Sequence, residues 1–120
     1  MLLVIENVLG SDEMAHWRER LDAAAWTDGR ATAGTLSHAV KRNRQLAEDS
    51  EVAIALGNRL LRILGSHPTF VSAALPERIY PPKFNRYGIG EHYGMHVDGA
   101  IMRMPQAELT LRADLSATLF

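Results

Sequence analysis

The spacing of apolar residues changes near His67, and this change constrains the fold more than any other feature of the chain. Before His67, apolar side chains recur at helical spacing in two segments. After it, short apolar segments are separated by prolines at positions 68, 76, 81 and 82, and proline is confined to the limits of strands. The pattern predicts an α+β fold in one domain, residues 1–120. We expect residues 1–66 to supply a strand and helices, and residues 67–120 to supply the strands of a sheet.

The first part of the chain predicts one strand and one helix. Residues 2–9 are apolar and end at Gly10, which favours a strand. Ser11 stands at an N-cap position and two acidic residues follow it, so a helix should begin there. Trp17 falls on the apolar stripe of that helix, and we expect its ring to be buried in the core.

A second helix is predicted after a polar, irregular segment at residues 31–46. Asp49 or Ser50 would cap this helix, and an apolar stripe leads to Gly65, where the helix should end. The polar segment contains the run KRNR at residues 41–44. Such a run could contact an anion or nucleic acid, but acidic residues follow at once, and we interpret it as a solvated face.

The second part of the chain predicts short strands joined by turns. The clearest of them alternates leucine and alanine with polar residues near the C-terminus. A turn is expected at residues 88–90, and a loop over the site at residues 99–108, which include Pro105. The predicted strands cover residues 69–75, 78–80, 84–87, 91–98 and 111–119.

Composition excludes several classes of protein. The chain carries 13 basic and 14 acidic side chains, so no overall field favours nucleic acid or an anionic membrane. Cysteine is absent, which excludes disulfides and thiolate sites, so a metal must bind through nitrogen and oxygen. The apolar N-terminal residues lack the basic start and cleavage site of a signal peptide, and no segment has the length of a transmembrane helix. We expect a soluble, cytoplasmic protein with no nucleic-acid or membrane partner.

His96 and Asp98 are the strongest candidates for chemistry. Residues two apart on a strand point to one face, so the imidazole and the carboxylate would converge if residues 91–98 form a strand. Such a pair supplies two of the three ligands of the 2-His-1-carboxylate triad that holds non-haem Fe(II). The third ligand would be another histidine, and none follows His96 in the sequence.

Three other interpretations of this region are weaker. Residues 88–94 (GIGEHYG) resemble a dinucleotide fingerprint, but the third glycine comes one residue late and no helix is expected after it. His92 and His96 have the spacing of a zinc-protease helix, but no glutamate follows His92. A Ser-His-Asp triad stays open, although Ser116 lies in no nucleophile elbow.

Several motifs occur together and in one order along the chain. They are residues 26–30 (WTDGR), 40–43 (VKRN), 73–76 (AALP), 84–99 (FNRYGIGEHYGMHVDG) and 114–120 (DLSATLF). With these motifs the chain closely resembles the PKHD-type hydroxylases, bacterial members of the Fe(II)/2-oxoglutarate-dependent dioxygenases that are related to prolyl 4-hydroxylases. The resemblance extends over nearly the whole chain.

The resemblance implies a fold, a set of site residues and a reaction. The fold would be the first half of a double-stranded β-helix, or jelly roll, with the helices packed on it. His96 and Asp98 would be iron ligands, Tyr87 would line the co-substrate pocket, and Asn85, Arg86 and Tyr93 would lie near it. The protein would use Fe(II), 2-oxoglutarate and O2, with ascorbate to keep the iron ferrous. It would hydroxylate a small molecule or a peptidyl substrate.

The sequence departs from the family pattern at its end. In the family, further strands carry the second histidine ligand and an arginine that pairs with the far carboxylate of 2-oxoglutarate, and neither position is present here. We therefore expect a domain cut near its middle, with weak iron binding and impaired activity. Alternatively, the chain is a non-catalytic remnant that forms a homodimer through an exposed strand at residues 111–120 and acts as a binding module, or a separate chain supplies the missing half.

Overall fold

The computed structural model describes residues 1–32, 34, 38–104 and 107–120. Helices and antiparallel strands are both present, so the predicted α+β class is confirmed. None of the helices within these ranges combines the length and apolar character that a membrane span requires. The elements are α1 (Ser11–Ala23), β1 (Trp26–Asp28), a 3-10 helix (Gly29–Thr32), β2 (Lys41–Arg42), β3 (Arg44–Leu46), α2 (Glu51–Ser66), α3 (Pro68–Ala74), β4 (Asn85–Arg86), β5 (His92–Tyr93), β6 (Ile101–Arg103) and β7 (Thr110–Arg112).

The core lies where α1 packs on α2. Trp17 of α1 is buried against Leu56 and Leu60 of α2, which confirms the prediction for Trp17. The arrangement follows from the sequence, because these side chains fall on the apolar stripe of each helix. At the surface, Arg59 of α2 forms an ion pair with Glu13 of α1, with 2.7 Å between Nε and Oε1.

The second predicted helix is confirmed within one residue at its C-terminal end. Its N-cap is Ser50, whose Oγ accepts a hydrogen bond from the backbone N–H of Ala53 at 3.2 Å. This bond satisfies a donor that the first turn of a helix would leave free. The helix ends at Ser66, one residue beyond the predicted Gly65.

The strands form three small antiparallel sheets in the described part of the chain. In the first sheet β3 lies between β1 and β4, with Thr27 opposite Gln45 and Gln45 opposite Asn85. The second sheet pairs β2 with β5, and the third pairs β6 with β7. Because β2 and β3 are nearly continuous, residues 41–46 connect the first two sheets. These pairings do not establish a double-stranded β-helix, which stays a prediction.

The predicted strand at residues 69–75 is wrong, because this segment is mostly helix α3. The helix begins with Pro68, whose fixed φ suits the first helical position. His67 caps it, with Nδ1 accepting a hydrogen bond from the N–H of Phe70 at 3.3 Å. Proline therefore marks a helix start here, and the predicted strand boundary at Pro68 is wrong.

Several other predicted strands are shorter than expected or do not form. Residues 2–9 and 78–80 are not in strands. Within the predicted strand at 84–87 only β4 forms, and within that at 91–98 only β5 forms. The predicted loop at residues 99–108 contains β6, while Pro105 lies outside the described residues. The last predicted strand is limited to β7 because β6, its partner, is three residues long. A strand forms only where a neighbouring strand is available for hydrogen bonding, and the alternation of apolar and polar residues does not show whether one is present.

The interpretation of residues 41–44 as a solvated face is wrong for half of the run. Lys41 and Asn43 are each only 5% exposed, whereas Arg42 and Arg44 face solvent. Side chains alternate between the two faces of an extended segment, so a basic run on a strand cannot lie entirely at the surface. Gln45 continues the buried face.

Candidate metal centre

The structure brings His96 and Asp98 together, although neither residue lies on a strand. Strand β5 ends at Tyr93, and the chain then bends at Met95 before it reaches His96. The Nε2 atom of His96 lies 3.0 Å from Oδ1 of Asp98. The predicted convergence of the two side chains therefore occurs, but a bend in the chain produces it and the expected strand does not.

A second contact fixes which nitrogen of His96 carries a hydrogen. Nδ1 lies 2.7 Å from the carbonyl oxygen of Gly94. A carbonyl oxygen only accepts hydrogen bonds, so Nδ1 must be the donor. Nε2 is then the nitrogen that faces the Asp98 carboxylate, and it needs either a proton or a metal ion between the two groups. A hydrogen bond from Nδ1–H to a carbonyl is the usual partner of a histidine that binds a metal through Nε2.

The separation of the two donor atoms fits adjacent positions on one ion. Donors that each lie about 2.1 Å from an ion, at a right angle to one another, are about 3 Å apart. The Nε2–Oδ1 distance of 3.0 Å matches this value. Across the ranges that the structure describes, no cluster of three histidine or carboxylate side chains could hold a metal. His96 and Asp98 thus fit two ligands of a facial triad.

Aromatic packing supports the imidazole of His96. The rings of Tyr93 and His96 are stacked, with centroids 3.5 Å apart and planes 8° from parallel. On β2, Lys41 is the register partner of Tyr93, and its Nζ lies 5.1 Å from the centre of the Tyr93 ring. Burial lowers the pKa of Lys41. A lysine, a tyrosine and the candidate ligand are therefore in sequential contact.

The other residues suggested by the resemblance have different surroundings. Tyr87 follows β4 and is 48% exposed. The guanidinium of Arg86 lies 5.8 Å from the centre of the Trp26 ring. Asn85 accepts a hydrogen bond from Nε2 of Gln45 at 2.7 Å. Asn85 and Arg86 contact residues of the first sheet. No hydrogen bond or ring contact among the described residues joins Tyr87, Asn85 or Arg86 to His96 or Asp98.

A polar cleft of about 420 Å³ lies apart from His96 and Asp98. The Asp28 carboxylate in its wall accepts hydrogen bonds from Arg30, including one of 2.7 Å from Nη2, and these lower the pKa of Asp28 to about 2. His96 and Asp98 do not line this cleft. Its lining residues are Asp28, Arg30, Arg42, Asn43, Ile89, Gly90 and Glu91.

A row of buried polar side chains on residues 41–46 was not predicted from the sequence. Lys41, Asn43 and Gln45 share one face and are all buried. The signal was present, because polar residues at every second position predict one face of a strand. The basic residues between them concealed it.

Comparison with known proteins finds curated relatives that match the chain over its whole length. No family model matches the chain. Over all 120 residues it is 59% identical to a PKHD-type hydroxylase of Teredinibacter turnerae, 56% identical to one of Acidovorax ebreus, and 51% identical to one of Janthinobacterium sp.. The chain spans about half the length of these curated relatives, 53% in each case. By this similarity along its whole length, the chain belongs to the PKHD-type hydroxylase family.

Proposed function

We propose that this chain carries part of the metal site of an Fe(II)/2-oxoglutarate-dependent hydroxylase. The observation that supports this most strongly is the pair formed by His96 and Asp98, whose donor atoms are 3.0 Å apart. The Nδ1–H of His96 bonds to the Gly94 carbonyl, which leaves Nε2 as the metal-binding atom. The hydroxylase names of the relatives agree with this choice of metal chemistry.

Each residue of the site has a role in this proposal. His96 and Asp98 hold two adjacent positions on the metal and leave the others for a third ligand and the co-substrates. When bound, Fe(II) supplies the activation of O2 that is coupled to decarboxylation of 2-oxoglutarate. Tyr87 lines the co-substrate pocket once that pocket is complete. The substrate is a small molecule or a peptidyl group, and ascorbate keeps the iron ferrous.

The proposal needs groups that the described residues do not provide. A second histidine would complete the triad, and an arginine would pair with the far carboxylate of 2-oxoglutarate. We assign both to residues outside these 120, within a complete double-stranded β-helix, because the relatives are about twice as long as the chain. Binding of a metal by the chain alone should accordingly be weak.

Binding of Mn(II), a stand-in for Fe(II) that is stable in air, tests the proposal. Electron paramagnetic resonance measures free Mn(II) directly as the protein is added. His96→Ala and Asp98→Asn should each weaken binding by more than about tenfold, because the first removes a donor and the second replaces a charged carboxylate with a neutral amide. His92→Ala is the matched control, since His92 is an exposed histidine on β5, four positions before His96. Equal affinities for the wild-type chain, His96→Ala and His92→Ala would contradict the proposal.

A second candidate function is a non-catalytic binding module that forms homodimers. It is favoured by apolar side chains that are exposed near the C-terminus, among them Leu115 and Phe120. The strand once expected at residues 111–120 ends at Arg112, so pairing would involve β7 and the segment after it. Sedimentation analysis distinguishes the candidates, because metal-independent dimers of a chain that binds no Mn(II) would favour the module.

A further inference from the structure

The candidate ligand His96 lies in a segment whose neighbouring side chains do not hold it. Met95 is 99% exposed and Val97 is 92% exposed, so neither packs on the rest of the protein. The His96 side chain is nevertheless only 24% exposed. Something other than its neighbours in sequence must therefore cover the imidazole.

The covering group is the ring of Tyr93. A centroid separation of 3.5 Å with planes 8° apart places the two rings in face-to-face contact over most of their area. Tyr93 is itself anchored, because it lies on β5 opposite Lys41. The next residue is also fixed, since the N–H of Gly94 donates a hydrogen bond of 2.8 Å to the carbonyl of Val40.

Two constraints together determine the direction of Nε2. The hydrogen bond from Nδ1 to the Gly94 carbonyl fixes the position of one ring atom, but the ring can still turn about that contact. Stacking on Tyr93 fixes the plane of the ring. With one atom and the plane both set, Nε2 points to Oδ1 of Asp98.

Lys41, on the neighbouring strand β2, contacts the Tyr93 ring. Its Nζ lies 5.1 Å from the ring centre, within the range of a cation–π interaction. Lys41 is buried, so this interaction is less weakened by water than one at the surface would be. The neighbouring Arg42 points away from this face and is exposed.

We propose that Tyr93 is a positioning residue for His96 and that Lys41 anchors the Tyr93 ring, so that the metal-binding nitrogen is oriented before the metal arrives. The assignment of a metal to this site rests on the proposed function. The orientation of the ring does not, because it follows from contacts between residues of the chain itself. The two can therefore be tested separately.

The first measurement is carbon NMR relaxation of the His96 imidazole in the metal-free chain, which reports how freely the ring moves. Wild type and Tyr93→Phe should show a rigidly held ring, since stacking does not need the phenol hydroxyl. Tyr93→Leu should show a mobile ring, because the plane of the ring is then no longer fixed. A ring that stays equally rigid in Tyr93→Leu would overturn the proposal.

The second measurement is Mn(II) affinity in the same variants. Loss of an oriented ligand through its supporting group typically lowers metal affinity by 10- to 100-fold, so Tyr93→Leu should lose about tenfold while Tyr93→Phe stays within about twofold. The Mn(II) affinity of Lys41→Met should fall roughly two- to fivefold, as expected for loss of one cation–π contact. Arg42→Met is the matched control and should bind as wild type. Circular dichroism melting curves verify that each variant is folded.

The outcomes separate this inference from the proposed function. If wild type binds no Mn(II) but the His96 ring becomes mobile in Tyr93→Leu, the metal assignment fails and the positioning role stands. If His96→Ala abolishes binding while Tyr93→Leu changes neither the motion of the ring nor the affinity, the metal assignment stands and the positioning role is wrong.

Discussion

Asn43 determines which residue can occupy position 29. The N–H of Gly29 donates a hydrogen bond of 2.9 Å to the Asn43 carbonyl, so the two backbones are close. A Cβ at position 29 would overlap Oδ1 of Asn43. Asn43 is buried and has little room to move. Glycine is required here by close approach of another residue and not by an unusual backbone angle.

Gly29→Ala should therefore destabilise the chain by about 1–3 kcal/mol, the usual cost of forcing an atom into a packed region. Urea unfolding followed by circular dichroism measures this change. Gly65→Ala is the control, because nothing lies within 4 Å of a Cβ at that helical position. The control should be neutral or stabilised by up to about 1 kcal/mol. Equal stabilities of the two variants would contradict the role given to Asn43.

Asp28 should titrate well below an ordinary aspartate. Hydrogen bonds from Arg30 lower its pKa from 3.8 to about 2. Because the folded-state pKa is the lower one, the pair stabilises the fold above about pH 4 and loses this effect as the pH falls toward 2. Carbon NMR of the Asp28 carboxyl group should show a midpoint near 2 that moves toward 3.8 in Arg30→Gln. Arg18→Gln, which breaks a different ion pair, should leave the midpoint in place.

At the scale of elements, the packing of α1 on α2 provides the core. Leu56 is only 2% exposed and contacts the cluster around Trp17. Leu56→Ala should cost about 2–5 kcal/mol through lost burial and a residual cavity. Ile54→Ala, two residues away on the exposed side, should cost less than about 1 kcal/mol. Thermal unfolding by calorimetry compares them, and similar melting temperatures would show that the core lies elsewhere.

Helices could be predicted from the sequence more reliably than strands, for a physical reason. The stripes of α1 and α2, and the cap at Ser50, depend on residues within a few positions of one another. Strands depend on partners distant in sequence, and the alternating residues after Arg112 have no paired strand in the described part of the chain. Pro68 was ambiguous because proline suits both a helix start and a strand limit.

The candidate site was predictable in part. The spacing of His96 and Asp98 correctly indicated that their side chains meet, although a bend produces the contact. The support from Tyr93 and Lys41 could not be read from the sequence, since Lys41 is 52 positions from Tyr93 and joins it through the register of β2 and β5. Contacts of this kind require knowledge of strand pairing.

At the scale of the whole molecule, the core and the candidate ligands His96 and Asp98 lie on different parts of the fold. The core is formed by α1 and α2, whereas His96 and Asp98 follow β5. A small change in core packing should therefore leave the metal affinity unchanged, and metal binding should add the same increment to the free energy of unfolding of each such variant. A ligand that binds only the folded state stabilises it by about 2.7 kcal/mol at 100 times its dissociation constant. Saturating Mn(II) should raise the melting temperature of the wild-type chain and of Ile54→Ala equally, and leave that of His96→Ala unchanged.

The central claim is that His96 and Asp98 bind Fe(II). Anaerobic titration calorimetry of the 120-residue chain with Fe(II), in the presence and absence of 2-oxoglutarate, tests it most directly, with His96→Ala and His92→Ala measured alongside. The account predicts weak binding by wild type and His92→Ala, tighter binding when 2-oxoglutarate is present, and loss of both effects in His96→Ala. Identical heats for all three proteins would contradict the account.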